Sequence, residues 1–237
     1  MQSTFVLVHG AWHGGWCYAR VAERLRAAGH RVYTPTLTGL GERSHLCSPS
    51  VNLTTHVTDI VNVIKWEQLQ RVVLVGHSYG GMVVTGVGDA IPKKISSLVY
   101  LDAFMPKDNQ CLLDLIPPEG AQAMRDSATE QNGFTVRSPS ATYFHVNAAD
   151  QAWVDTLCTP QPIATLTEPL KISGGIDAIA RKVYVLATGR AGNFSRFRDS
   201  VANKPGWSTH ELPCGHDVMI DLPEQTTDIL AAIPDST

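Results

Sequence analysis

The sequence lacks long hydrophobic runs and clusters of basic residues. Its longest apolar stretches have the length of a strand, far short of the ~20 residues that a transmembrane helix needs. The formal net charge is −3, and no basic run occurs anywhere in the 237 residues. A surface that binds nucleic acid or an anionic membrane is therefore not expected. The chain enters a predicted strand almost at once, without the basic and apolar regions of a signal peptide, so we expect a cytoplasmic protein.

Cysteine is scarce and follows no pattern. The five cysteines are odd in number and widely scattered, without the C-x-x-C or Cys/His spacing of a zinc site. We expect free, mostly structural thiols, and neither a metal nor a cofactor. Apolar residues make up 43% of the chain, and no internal repeat or low-complexity segment is present. This composition is typical of one globular domain with a full core.

Short apolar runs alternate with helical patterns along most of the chain. Strands separated by helices imply a parallel sheet with right-handed crossovers. We therefore predict an α/β fold with about six mostly parallel strands, flanked by helices. The predicted strands cover residues 4–8, 31–34, 72–75, 95–101, 182–187 and 207–212.

The pattern changes between residues 105 and 179, where seven prolines separate short amphipathic segments. No strong strand stands out there, although residues 134–136 are compatible with a small one. We predict that residues 105–179 form a mainly helical cap, inserted into a core made of residues 1–104 and 180–237.

The most informative stretch is residues 72–81, in which an apolar run leads into Gly-His-Ser-Tyr-Gly. A strand, this G-x-S-x-G turn and a following helix are the context of a nucleophile elbow, which predicts that Ser78 is a nucleophile. Glycine at positions 76 and 80 relieves crowding around the strained turn. The alternative is a glycine-rich turn that only binds an anion at the helix N-terminus.

A serine hydroxyl needs a base within hydrogen-bond reach, and the base needs an acid to orient it. His216 follows the last predicted strand, where the histidine of a Ser–Asp–His chain order belongs. The alternative is a solvated loop histidine. The other eight histidines are predicted to be loop, surface or supporting groups; they are His9, His13, His30, His45, His56, His77, His145 and His210.

Residues 8–16, 75–81 and 214–217 together resemble the α/β-hydrolase superfamily. Within it they are similar to the small-esterase branch that includes plant methyl esterases of the methyl salicylate type and hydroxynitrile lyases. The resemblance implies an oxyanion hole made by the backbone N–H groups of Ala11 and Tyr79. It also implies hydrolysis of a small carboxylic ester through an acyl-enzyme.

The acid departs from the pattern of this branch, which usually places it in the loop at residues 188–193. That loop contains no carboxylate here. Asp177 precedes its strand, Asp199 is at least a helical turn away, and Asp217 adjoins the base in a poor geometry for orienting it. We therefore predict Asp102, at the end of the fourth strand, as the acid. The alternative is that Asp102 only caps the turn that follows it.

A second departure concerns the reaction. Hydroxynitrile lyases of this branch carry threonine at the position of Gly10 and lysine directly after the catalytic histidine. The chain has Asp217 there, and its negative charge does not stabilise cyanide. Ester hydrolysis is therefore favoured over lyase activity. Hydrolysis of a lactone or an amide, and a non-catalytic small-molecule receptor, are the remaining alternatives.

Apolar residues of the cap and of the neighbouring loops predict a pocket for a small apolar or aryl ester. Each of them could equally belong to the ordinary core of the cap. The sequence does not decide between a monomer and a homodimer. The predicted pocket residues are Trp12, Phe104, Met105, Leu113, Tyr143, Phe144, Trp153 and Met219.

Overall fold

A computed structural model describes residues 2–189 and 194–233 of the chain. Its central sheet contains six strands in the order β2-β1-β3-β4-β7-β8, and every neighbouring pair is parallel. The six predicted strands are confirmed, with ends that shift by at most two residues. The sheet strands are β1 (Thr4–Val8), β2 (Arg31–Tyr33), β3 (Val72–His77), β4 (Ile95–Leu101), β7 (Arg181–Ala187) and β8 (Trp207–Leu212).

Helices connect the strands, and α1 packs against α9 while α2 packs against α3. The start of α2 is fixed by a capping box, in which the Asn52 side chain accepts from the Thr55 amide and the Thr55 hydroxyl accepts from the Asn52 amide. The helices outside the predicted cap are α1 (Ala19–Ala27), α2 (Leu53–Trp66), α3 (Gly80–Ala90), α7 (Ser195–Val201), α8 (Val218–Asp221) and α9 (Pro223–Ala231).

The centre of the core is β3 with the helix that follows it. Every residue of β3 is buried, and so is every residue of α3 from Gly80 to Gly88. A central parallel strand is covered on both faces, which explains its continuous apolar sequence. The turn between β3 and α3 therefore lies between two buried segments of the chain.

Residues 105–179 contain three α-helices, two 3-10 turns and one pair of two-residue antiparallel strands, in agreement with a mainly helical segment. The division of the chain into core and cap remains a prediction. Arg20 in α1 pairs with Asp150 at 2.6 Å and lies over the ring of Trp153, so this segment is tied to the core. Its elements are α4 (Pro118–Gln131), β5 (Thr135–Val136), α5 (Gln151–Leu157), β6 (Gln161–Pro162) and α6 (Ala164–Thr167), with β5 and β6 antiparallel.

Among the described residues, none of the helices has both the length and the apolar character that crossing a bilayer requires. The five cysteines are all unpaired. Three of them are buried and two are half-buried, as expected for structural thiols.

Gly76, at the end of β3, has no space for a side chain. A Cβ there would lie 2.6 Å from the Gly80 carbonyl oxygen and 2.7 Å from a methyl group of Val84. We expect Gly76→Ala to lower the free energy of unfolding by about 2 kcal/mol or more, measured by urea denaturation. Gly120→Ala in α4 is the matched control, because its Cβ meets nothing closer than 3.7 Å, and it should raise stability by about 0.5 kcal/mol. Equal effects of the two substitutions would contradict this packing.

Candidate active site

Three non-glycine residues with a left-handed backbone follow three neighbouring strands of the sheet. Trp12 has φ 65° after β1, Ser78 has φ 52° after β3, and Asp102 has φ 42° after β4. Such conformations cost free energy and persist only where the surroundings impose them. Here the Ser78 amide donates to the Leu101 carbonyl at 3.2 Å, and the Asp102 amide donates to the Val185 carbonyl at 2.7 Å.

Ser78 lies in the turn between β3 and α3, as predicted, and it is half-buried. The glycine loop after β1 lies directly against it, because a Cβ at Gly10 would come within 3.0 Å of the Ser78 Cβ. On the other side, a Cβ at Gly80 would come within 2.8 Å of the carbonyl oxygens of Val8 and His9. The Ser78 hydroxyl makes no hydrogen bond with any residue that the structure describes.

The structure brings His216 and Asp102 together. His216 Nδ1 donates to Asp102 Oδ2 at 2.6 Å, and Asp102 Oδ1 accepts from the Ala187 amide at 3.1 Å. Both residues are buried. With the proton on Nδ1, the lone pair of the neutral imidazole is on Nε2. The alternative role of Asp102 was to cap the turn after β4. Neither hydrogen bond of its carboxylate is made to a residue of that turn.

The other aspartates considered for the acid lie elsewhere. Asp199 is 63% exposed and pairs with Arg198 at 2.7 Å, and Asp177 lies in a 3-10 turn before β7. Residues 190–193 of the loop that lacks a carboxylate lie outside the described residues.

Aromatic rings hold the His216 imidazole on two sides. Phe194 stacks on it with ring centroids 5.0 Å apart, and Phe144 stacks at 6.0 Å. The His216 amide also donates to the Phe144 carbonyl at 2.8 Å. A side chain at Gly215 would collide with the His145 carbonyl, so this glycine permits the close approach of the cap. Phe194 belongs to no sequence motif and is not among the predicted site residues.

Two buried amides near Ser78 make no hydrogen bond within the described part of the chain: those of Ala11 and Tyr79. Both residues are at most 4% exposed. These are the two amides that the family resemblance assigns to the oxyanion hole.

Four of the eight other histidines are buried, rather than at the surface: His9, His13, His56 and His77. Burial lowers the pKa of His9 to about 3 and that of His56 to about 4. His56 accepts from the Tyr79 hydroxyl at 2.9 Å and donates to the Thr38 carbonyl at 2.8 Å. These rings are supporting groups beneath the site.

Asp217 does not contact the His216 imidazole through a hydrogen bond but pairs with His13. The distance from His13 Nε2 to Asp217 Oδ2 is 3.1 Å, and Oδ1 lies 3.6 Å from His77 Nε2. Burial alone would raise the pKa of Asp217, but the charge and hydrogen bond of His13 outweigh burial and hold it at about 2. In the same way Asp217 raises the pKa of His13 above its ordinary value against the effect of burial.

Ligand atoms of His77, His216 and Asp217 lie within 4.8 Å of one another, a spacing that could accommodate a metal ion. Each side chain is already engaged, however. His216 binds Asp102, Asp217 binds His13, and His77 Nε2 donates to the His216 carbonyl at 2.9 Å. Each residue thus has one ligand atom in a hydrogen bond with another protein group, while His77 Nδ1 and Asp217 Oδ1 have no partner among the described residues.

The predicted pocket residues do not all lie in similar surroundings. Trp12 contacts Phe144, and Phe104 contacts Phe194, so both reach the rings that flank His216. Trp153 instead packs against Trp16, with centroids 5.0 Å apart. Their role in a pocket remains a prediction. Leu113 and Met219 are also buried, Met105 is half-buried, and Tyr143 is 52% exposed.

The parallel sheet, with its strained serine between β3 and α3, defines the class of α/β hydrolases. Residues 5–229 match the alpha/beta hydrolase family, and the chain belongs to it. The fold and the family that the sequence predicts are therefore confirmed.

Known relatives of the chain are esterases. A carbendazim hydrolyzing esterase of Nocardioides sp. (strain SG-4G) is 47% identical over 241 residues, which cover 98% of this chain and 100% of that protein. Methylesterase 2 of Arabidopsis thaliana is 38% identical over 113 residues, covering 43% of this chain and 40% of that protein. These relatives indicate a hydrolase of the family.

Among solved structures, an extracellular alpha/beta-hydrolase from a Paenibacillus species, described as sharing homology with tobacco Salicylic Acid Binding Protein 2, is similar with a TM-score of 0.86. It is 24% identical, and the match covers 99% of this chain and 100% of that chain. At this identity the likeness concerns the fold.

The low pKa of Asp217 predicts a specific loss of stability in acid. Its carboxylate contributes stability above its ordinary pKa of 3.8, and the contribution disappears as the pH falls through about 2. Lowering the pH from 5 to 3 should therefore reduce the free energy of unfolding of the wild type by about 1 kcal/mol more than that of the double variant His13→Phe/Asp217→Asn, which removes both members of the pair. Urea denaturation at the two pH values measures the difference, and an equal loss in both proteins would contradict the prediction.

Proposed function

We propose that this protein is a serine carboxylesterase that hydrolyses small apolar or aryl esters through an acyl-enzyme. The observation that carries the proposal is the buried 2.6 Å hydrogen bond between His216 and Asp102, at the sheet edge where the strained Ser78 lies. The esterase relatives support it independently. No metal or cofactor takes part in this mechanism.

In the proposed mechanism, Ser78 Oγ attacks the ester carbonyl while His216 Nε2 takes its proton. Asp102 holds the Nδ1–H of His216 and stabilises the imidazolium that forms. Because Asp102 is buried, this stabilisation acts in a medium of low dielectric constant. The described contacts include no Ser78–His216 hydrogen bond, and the mechanism requires this bond to form with substrate, since catalytic hydrogen bonds often tighten on binding.

The tetrahedral intermediate places negative charge on the former carbonyl oxygen. The amides of Ala11 and Tyr79 lack other partners among the described residues and are proposed to donate to this oxygen, which makes them a preorganised oxyanion hole. His216 then protonates the leaving alcohol, and water attacks the acyl-enzyme with His216 as the base. The Ser78–His216–Asp102 set thus acts in both halves of the reaction.

The substrate is proposed to be an ester with an apolar or aromatic part. Phe144 and Phe194 stack on the ring of the base, and Trp12 and Phe104 pack against these two rings, so the surface there is aromatic and offers little charge. The names of the relatives add two candidates to this class: methyl esters and carbendazim.

Loss of the nucleophile tests the mechanism. Ser78→Ala should lower kcat on p-nitrophenyl acetate about 10⁴-fold or more, because the acyl-enzyme can no longer form. Asp102→Asn should lower it by a comparable factor, since the ring of His216 loses its orienting acid. Asp199→Asn is the matched control at the exposed aspartate and should retain full activity. Activity retained in Asp102→Asn but lost in Asp199→Asn would overturn the proposed acid.

A substrate panel separates the alternatives. We expect turnover of aryl and methyl esters, and we expect carbendazim to be included among the substrates. A receptor would bind these compounds with negligible turnover, whereas faster cleavage of a lactone or an anilide would assign another acyl bond. Release of cyanide from mandelonitrile would identify a lyase.

Thiol reagents distinguish serine from cysteine chemistry. Burial raises the pKa of both Cys158 and Cys214 to about 12, so these thiols are protonated and unreactive at neutral pH. Iodoacetamide at pH 7.5 should therefore leave ester hydrolysis unchanged. A fluorophosphonate should abolish it and add one label, located at Ser78 by mass spectrometry. Inactivation by iodoacetamide with no fluorophosphonate adduct would contradict a serine nucleophile.

A further inference from the structure

The peptide group between Ala11 and Trp12 is held by side chains at both ends. His13 Nδ1 donates to the Ala11 carbonyl at 2.8 Å, and the Trp12 amide donates to Gln161 Oε1 at 3.0 Å. Gln161 lies in β6 of the cap and is fully buried. The left-handed backbone of Trp12, with φ 65°, is therefore fixed from the core side and from the cap side.

The preceding peptide group, which carries the Ala11 amide, is held in a similar way. His9 Nδ1 donates to the Gly10 carbonyl at 2.8 Å, while His9 Nε2 accepts from the Leu37 amide at 3.0 Å. One donor and one acceptor define a neutral imidazole with its proton on Nδ1. Histidine rings thus bind the carbonyls on both sides of the Ala11 Cα.

The partners of His13 define a different protonation state. Its Nδ1 faces a carbonyl oxygen and its Nε2 faces a carboxylate oxygen of Asp217, at 2.8 and 3.1 Å. Both partners are acceptors, so both ring nitrogens must carry protons. His13 is 1% exposed and Asp217 is 0% exposed, which makes them a buried ion pair.

Asp217 belongs to the loop of the base, directly after His216. Its Oδ1 has no hydrogen-bond partner among the described residues and lies 3.6 Å from His77 Nε2. His77 Nε2 donates to the His216 carbonyl at 2.9 Å. The His13–Asp217 pair therefore links the loop that carries Ala11 to the loop that carries His216.

We propose that Asp217 keeps His13 as a permanent imidazolium, and that this pair positions the oxyanion loop against the loop of the base. His13 is a positioning residue, because it acts through the Ala11–Trp12 peptide and touches no reacting atom. The inference rests on the proposed function for its kinetic consequence, but the charge state of His13 does not depend on it.

A role in stability alone would explain the pair poorly. The desolvation of two buried charges often cancels their attraction, and apolar replacements of similar volume are frequently as stable. Such a pair does fix geometry, because each partner has few positions in which its hydrogen bonds are satisfied. An oxyanion hole stabilises the transition state best when its amide donors are already fixed in position before the reaction. Fixing the geometry of this loop therefore favours catalysis more than stability.

Nitrogen NMR of the full-length protein tests the charge state. In protein labelled with ¹⁵N-histidine at pH 7.5, the resonances absent from His13→Phe belong to His13. Both should have the chemical shift of protonated ring nitrogens, in wild type and in Ser78→Ala. An unprotonated His13 nitrogen, with the shared proton on Asp217 instead, would overturn the proposal whether or not the protein is an esterase.

Kinetics tests the positioning. His13→Phe keeps an aromatic ring against Trp16 but removes both hydrogen bonds, and it should lower kcat about 10- to 100-fold with KM changed less than about threefold. Asp217→Asn should lose less than about fivefold, because an amide can donate to a neutral His13 that keeps its bond to Ala11. In this variant one His13 nitrogen should become unprotonated. If His13→Phe does not fold, the His13 resonances can be assigned instead as those that change from protonated to unprotonated shifts in Asp217→Asn. The same change then tests the charge state of His13.

Asp89→Asn is the matched control, since Asp89 accepts hydrogen bonds from residues 173–176 and touches neither loop of the site. It should lower stability and leave kcat unchanged. A kcat for His13→Phe within twofold of wild type, or a loss confined to KM, would overturn the positioning role. Loss of turnover in Ser78→Ala tests the esterase mechanism alone, so the two failures are distinguishable.

Discussion

The register between β3 and β4 is the constraint on which the site depends. It pairs His77 with Leu101, so the next residue of each strand, Ser78 and Asp102, leaves the sheet at the same level. Both adopt a left-handed backbone, and the Ser78 amide binds the Leu101 carbonyl between them. The Asp102 amide in turn binds the Val185 carbonyl of β7, so the two strained residues are stabilised by continuations of two neighbouring ladders, β3–β4 and β4–β7.

Around this edge, protonation states follow from hydrogen-bond partners rather than from pH. His9 and His56 each have one donor and one acceptor partner and remain neutral, with pKa values of about 3 and 4 because they are buried. His13 has two acceptors and is charged. The site therefore combines a fixed cation, a fixed anion at Asp217 and neutral rings, which leaves His216 as the proposed group that exchanges protons.

The sheet and its order of motifs could be predicted because each strand is an apolar run and each motif follows a strand. Asp102 could be proposed by elimination, since residues 188–193 offer no carboxylate. The pairing of His13 with Asp217 could not, because it joins two loops 204 residues apart and depends on how both fold. Phe194 was missed for the same reason, as its contact with His216 is purely geometric.

The contact of the cap with the loop of the base has an evolutionary consequence. The Phe144 carbonyl binds the His216 amide, and the His145 carbonyl fills the space beside Gly215. In the proposed mechanism, positions 144 and 145 consequently support the loop of the base as well as the predicted pocket. Divergence of substrate preference in such enzymes should be concentrated in other parts of the cap, where a new side chain does not disturb the imidazole.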